Sequence, residues 1–271
     1  MKKNVRSRRR ALRQALRSKK TVTVIYLVLR ALVIATLVLQ FLNGNFENVF
    51  LCGLTLVLFT LPTVIERRIK IDLPDTLEII ILLFIFAAEI LGEIQAYYTI
   101  FKGWDTMLHT LNGFLCAAIG FSLVDLLNRN ERFSLSLSPA FMSIVAFCFS
   151  MTIGVLWEFF ECGMDQLLLL DMQKDAVVHE ISSVMLDPAG RNTPTVIRGI
   201  TDVIVVANGE EISLGLGGYL DIGLLDTMKD LFVNFIGAAV FSWIGYFYVK
   251  SRGQGRFASR FIPKVLDKNK E

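Results

Sequence analysis

Six apolar runs of about 20 residues each dictate the class of fold. A helix rises ~1.5 Å per residue, so a run of that length crosses a hydrocarbon core of roughly 30 Å. Inside such a core every backbone N–H and C=O must be paired within the spanning element, which leaves helices as the solution for runs of this kind. The runs lie near Thr21–Leu42, Asn48–Ile65, Leu77–Tyr98, Trp104–Leu127, Leu137–Phe160 and Asp226–Val249. Hydrophobic residues make up 54% of the 271, and the mean hydropathy of +0.54 excludes an ordinary soluble domain. The expected fold is an all-α membrane protein, a bundle of six transmembrane helices with a small extracytoplasmic α+β segment.

The distribution of Lys and Arg orients the bundle. They crowd MKKNVRSRRRALRQALRSKK at the start, recur in ERRIK (Glu66–Lys70) and NRNER (Asn128–Arg132), and are dense again from Lys250. The intervening loop NGNFE has none, and YYTIFKGW has only Lys102. This positive-inside pattern places both termini in the cytoplasm, and the helix count, since the segment itself is too long for that rule, places the long segment after Phe160 outside it. The division is then a basic cytoplasmic arm (1–20), helices one to five (21–165), an extracytoplasmic segment (166–225), helix six (226–250) and a basic cytoplasmic tail (251–271). The first run reads as an uncleaved signal anchor, since it is of full spanning length and no A-x-A-like site follows. Its basic arm orients the chain and touches anionic lipid, so membrane lipids are the expected partners and no nucleic acid is expected. Cys52, Cys116, Cys148 and Cys162 have no CxxC spacing and read as packing thiols.

The external segment holds most of the loop signals. MDQLLLLDMQKDAVVHEISSVML has helix-like spacing that could extend the fifth span, and DPAGRNTP reads as a turn. In DVIVVANGEEISLG two β-favouring runs flank Asn208-Gly209, a strong hairpin signal. The expectation is a small β-flap, with His179 as a surface residue.

Polar residues inside the spans are where function is sought, because charge at bilayer depth is costly and is kept for a purpose or a partner. Asp105, His109 and Asn112 share one stripe of the fourth run, with His109 ~6 Å and Asn112 ~10 Å along the axis from Asp105. In WEFFECGMD, Glu158, Glu161 and Asp165 are spaced by three and four; in DTMKDLFVNFIGA, Asp226, Asp230 and Asn234 recur every four residues. Glu89 and Glu93 form a further i,i+4 pair in the third run. Alternating helix direction brings all four sets toward the outer layer. Eight carboxylates there have only His109 and Lys229 as nearby bases, a balance that calls for raised pKa values, a water-filled vestibule or bound cations. Carboxylates with one imidazole suit a divalent metal cation such as Mg, Ca, Mn or Zn. Solvated helix ends, favoured at Asp105 and Asp226 by the helix dipole, are the bland alternative.

At WDTMLHTLNG, WEFFE and DTMKDLFVNFIGA the chain resembles the YjdF-like (DUF2238) family of bacterial inner-membrane proteins, and more distantly the VanZ-like membrane proteins. The resemblance covers roughly residues 75–250 and implies a compact bundle in the inner (plasma) membrane of a bacterium. It marks Asp105, His109, Glu158, Glu161, Asp226, Asp230 and Asn234. Three functions fit the residues. One is a metal-assisted enzyme acting on an envelope lipid or its head group, with Asp105, His109, Asp226 and Asp230 holding the metal and Glu158 or Glu161 as general base. The second is a cation- or proton-coupled transporter using the same carboxylates. The third is a non-catalytic envelope protein that binds through its flap. Glu89, Glu93, Asn112, Asp165 and Asn234 complete the polar set.

Overall fold

The computed structural model describes residues 2–69, 71–128, 136–251 and 257–265, without the side chains of 2–19, 69, 264 and 265. The basic positions of the loop at 129–132 and of the tail at 252–256 and 266–271 lie outside the described residues. The elements in chain order begin with α1 (Lys2–Leu42), α2 (Phe46–Leu58), α3 (Leu61–Ile69), β1 (Ile71–Asp72) and α4 (Asp75–Phe86). A π-helical segment (Ala87–Ile94) follows, then α5 (Tyr97–Ile100), α6 (Trp104–Asn128) and α7 (Pro139–Leu168). Strands β2 (Val177–Val178), β3 (Glu180–Ser183), β4 (Thr195–Arg198), β5 (Ile204–Ala207), β6 (Glu210–Ser213) and β7 (Tyr219–Leu220) precede α8 (Leu224–Lys250) and β8 (Lys264–Val265).

Among the described residues, five helices are long and apolar enough to cross a membrane: Lys20–Leu42, Phe46–Arg68, Trp104–Asn128, Pro139–Leu168 and Leu224–Lys250. Two of the six expected spans are not continuous α-helix. The second is interrupted at Phe59–Thr60, because Pro62 has no N–H to continue the ladder. The third, expected over Leu77–Tyr98, is α4 followed by the π-helical segment, closed by an i to i+5 bond in which Gln95 N–H donates to the Ile90 carbonyl. It ends at Ala96, whose φ of +56° no continuing helix can use.

The chain divides into two compact units, one made of Met1–Thr152 with Val233–Glu271 and the other of Ile153–Phe232. The first has two apolar cores. In one, Leu77 of α4, Leu115, Ala118 and Phe121 of α6, Met142 and Ala146 of α7 and Phe241 of α8 are buried together. In the other, Leu29 and Val33 of α1 meet Cys52 of α2, Leu82 and Ile85 of α4 and Ile90. The charge of residues 251–271 disguised their apolar half: Ala258, Phe261 and Ile262 are buried in the first core, and the Phe261 ring lies 5.1 Å from that of Phe114. From there β8 pairs antiparallel with β1, Val265 opposite Ile71.

The second unit carries three short antiparallel ladders, β2 with β7, β3 with β4 and β5 with β6. The β5–β6 turn is Asn208-Gly209 at φ +55° and +84°, the left-handed pair that a two-residue hairpin needs. The helical spacing after the fifth span extends the helix only through MDQLL, eight residues past Phe160. α7 stops at Leu168, Leu169 takes φ +55°, and the Asp165 carboxylate accepts from the N–H groups of Met172 (2.6 Å) and Gln173 (2.8 Å), folding the chain back. The region from Val177 onward is then strand and 3-10 turn rather than a continuation of the fifth helix.

Candidate functional site

α6, α7 and α8 meet around Asn234 in the first unit, and glycine permits the approach. A Cβ on Gly113 would stand 2.1 Å from the Asn234 carbonyl oxygen, and one on Gly237 2.0 Å from that of Thr110. Only a residue without a side chain fits either place, and helices in lipid associate through such close contacts. Asn234 is 1% exposed. Its amide donates toward the Ser150 carbonyl at 3.5 Å, while its oxygen accepts from the Asn112 amide at 3.4 Å. The Ser150 hydroxyl donates to the Gly113 carbonyl at 2.7 Å, and the Cys116 thiol donates to the Asn112 oxygen at 3.4 Å. This neutral network knits three helices.

One turn toward the start of α6, His109 Nε2 lies 3.3 Å from Asp105 Oδ1, with 11% and 25% of the two side chains exposed. The i,i+4 spacing read from the sequence therefore produces a contact. Asp105 holds the imidazole in place from the turn before it. Trp104, at the first position of the helix, keeps its indole N–H buried with no hydrogen-bond partner among the described residues.

The second unit holds the remaining predicted carboxylates of α7 and α8, and it sorts them into two kinds. Asp165 and Asp226 hold the backbone. Asp165 turns the chain after α7, and Asp226 accepts from Lys174 N–H at 3.0 Å and from the Lys229 ammonium at 2.6 Å. Asp221, which the sequence reading passed over, does the same job, accepting from Ala176 N–H and Leu225 N–H, both at 2.7 Å. The spacing Asp-x-x-x-Leu at a helix start was the available signal, since a carboxylate there caps free N–H groups. By contrast, Glu158, Glu161 and Asp230 are 5%, 8% and 1% exposed, far more buried than a surface acid. Glu161 accepts from the Trp157 indole at 2.8 Å, and the Lys229 ammonium stands 3.5 Å from Asp230 Oδ1.

Glu89 and Glu93 fall in the π-helical segment, Glu89 partly buried and Glu93 exposed. They do not form a buried α-helical pair. Asp125, inside α6, was not singled out from the sequence although it is buried at 6% exposure; a lone charge in an apolar run was the signal. His179 is exposed, with Nδ1 3.1 Å from the Ile200 carbonyl oxygen.

Residues 153–232 carry thirteen Asp and Glu against four Lys and Arg, whereas the whole chain has net charge +3. The effect reaches the loops. Burial first, and then repulsion from Asp171, Asp221 and Asp165, raises the pKa of Asp175. Asp187 is lowered by the N–H groups of Ala189 and Arg191, and Asp202 by the Ser213 hydroxyl and then by the Val203 and Gly215 N–H groups.

Residues 25–251 match the model of a family described as "Predicted membrane protein (DUF2238)". No curated protein and no solved structure matches the chain. The match covers most of the first long apolar helix and the whole of the other four, and the chain belongs to this family.

Proposed function

From that membership and from the sorting of the carboxylates, we propose a multi-pass protein of the bacterial inner membrane with six spans and both termini cytoplasmic. It binds a divalent cation and uses it on an envelope lipid or lipid head group. The observation that carries this reading is the burial of Glu158, Glu161 and Asp230 in helices that read as membrane spans. Acids buried to this degree need compensation, in a unit that carries thirteen acidic against four basic residues. Asp105, His109 and Asp230 are the ligands in this reading, since the oxygens of Asp226 and Asp165 already accept from backbone N–H groups. Asp226 thus moves from the ligand set to a positioning role. Such a cation would supply Lewis-acid activation of water and of the lipid's ester or phosphoester group, and Glu158 or Glu161 would take a proton from the attacking water and return it to the alcohol released as the ester C–O or P–O bond breaks.

Elemental analysis of the purified chain is the test. One divalent ion per chain, lost in His109→Ala without loss of helical content, is the expected result; an equal metal content in the two proteins overturns the reading.

A second reading, a cation- or proton-coupled carrier, is favoured by one observation. The π-helical segment that bears Glu89 and Glu93 breaks the third span, and interrupted helices line many transport sites. Ion flux in proteoliposomes that is abolished by Glu89→Gln supports it; the absence of flux in the unmodified chain removes it.

A further inference from the structure

α7 and the Lys250 end of α8 form a groove of about 330 Å3, lined by Ala140, Ser143, Ile144 and Phe147 on one side and by Ser242 and Tyr246 on the other. Its size is that of a small ligand pocket. The four α7 residues follow one stripe, at i, i+3, i+4 and i+7, and the α8 residues share a face with Lys250 eight positions along. The groove is apolar except for its hydroxyls, and these differ. Ser143 donates to the Pro139 carbonyl at 2.9 Å, as Ser122 and Thr110 donate to carbonyls four residues back in α6. Ser242 is 7% exposed, and its Oγ is buried with no hydrogen-bond partner among the described residues. An unused donor in a membrane span is uncommon, because lipid tails offer it nothing.

A cation stands beside the same groove. The Lys250 side chain folds along the helix until Nζ lies 5.6 Å from the centre of the Tyr246 ring. Trp243, which also lines the groove, is 67% exposed. Aromatic rings with a lysine at the end of a span are the usual furniture of a membrane–water boundary. An acceptor for a buried hydroxyl, an apolar tail and an anionic head within reach of one lysine describe a single kind of molecule.

We infer that this groove binds one anionic glycerophospholipid of the bilayer. An acyl chain lies along Ile144, Phe147 and Trp243, an ester carbonyl accepts from the Ser242 hydroxyl after rotation about one side-chain bond, and the phosphate faces Lys250. Charge complementarity selects this occupant. A second copy of the chain would set one Lys250 face against another, and a free phosphate ion makes no use of the apolar walls. Basic pockets between membrane helices bind anionic head groups for the same reason. The inference does not depend on the cation reading, and either can fail alone.

The test is native mass spectrometry of the full chain in detergent with equal amounts of phosphatidylglycerol and phosphatidylcholine. The unmodified protein is expected to retain one phosphatidylglycerol in preference to phosphatidylcholine, and Lys250→Glu to lower that preference roughly fivefold. Ser242→Ala is expected to weaken retention roughly threefold for both lipids. Ala140→Trp, at an exposed position of the groove, is expected to abolish it, whereas Leu39→Trp, on the exposed face of α1, leaves it unchanged. Lys250→Glu changes an exposed side chain and carries the test even if Ala140→Trp fails to fold. An unchanged lipid ratio in Lys250→Glu, or equal losses in Ala140→Trp and Leu39→Trp, means that the lipid is only part of the general shell, and overturns the inference.

Discussion

Around Asn234, buried polarity is neutral, tightly packed and spent on backbone carbonyls and amides: Asn112, Ser150 and Cys116 answer one another across glycine contacts. In Ile153–Phe232 buried polarity is acidic, and its members are not equivalent. Asp165, Asp221 and Asp226 grip N–H groups, while Glu158, Glu161 and Asp230 are buried within the helices themselves. The difference teaches how to separate architecture from function in a membrane bundle. Neutral groups that satisfy one another contribute modestly and locally, averaging ~0.6 kcal/mol per interhelical hydrogen bond. Ionisable groups at such depth cost several kcal/mol each unless compensated, so their retention points to work beyond holding the helices.

The comparison can be broken most severely at Gly237. Gly237→Leu places a side chain where 2.0 Å separates a Cβ from the Thr110 carbonyl oxygen, and helix α8 cannot shift without losing its contacts. The expected cost is about 3 kcal/mol or more, seen as loss of a monodisperse species in detergent. Asn234→Leu is milder. It removes the amide from the network and leaves the Asn112 amide and the Ser150 carbonyl to find other partners, an expected loss of up to about 1.7 kcal/mol in steric-trap or denaturant unfolding. If Asn234→Leu proves as damaging as Gly237→Leu, the neutral network does more than knit helices.

A still more local effect is expected at the hairpin. Gly209→Val puts a β-branched residue at φ +84°, at a cost of about 1–3 kcal/mol confined to β5 and β6. Amide exchange should accelerate at Val205 and Ile212 and stay unchanged in α6.

The smallest effects are in the acid titration of the loops. Asp187 and Asp202 are held below the ordinary carboxylate value of 3.8 by hydrogen bonds to their ionised forms. Their contribution is therefore complete above that value and is lost as pH falls through the folded-state value. Amide exchange in 187–191 and 202–215 should quicken below about pH 3.8, and Asp202→Asn should remove the pH dependence from the second loop only. Asp175 has the opposite sign. Its raised pKa disfavours the folded loop once it ionises, so stability present below 3.8 is lost as pH rises through the folded-state value. Asp175→Asn should slow exchange around Ala176 at neutral pH.

Much of this was legible in the sequence, for identifiable reasons. Long apolar runs announce spans because length alone matches a bilayer, and Asn208-Gly209 announces a turn because both residues tolerate positive φ. The i,i+4 spacing of Asp105 and His109 announces a contact because helix geometry is fixed over one turn. Interruptions were harder to read. The π-helical segment is built of AAEILGEI, whose composition suits an α-helix equally well, and its register is settled by packing such as the Tyr98 ring against Gly92. The burial of Phe261 and Ile262 was hidden by the charges around them. The candidate site was legible as a set of residues but not as roles, because a carboxylate that grips an N–H and one that sits buried within a span look the same in one dimension.

The central claim of the proposal is that Asp105, His109 and Asp230, and not the backbone-gripping acids, hold a cation. Mn2+ binding to the purified chain, followed by electron paramagnetic resonance, tests it most directly across His109→Ala, Asp230→Asn and Asp165→Asn. The account predicts one bound ion in the unmodified protein, loss of at least tenfold in affinity for His109→Ala and Asp230→Asn, roughly the 1.4 kcal/mol that a tenfold change represents, and no change for Asp165→Asn. Equal affinity in all four proteins, or a loss confined to Asp165→Asn, would contradict it.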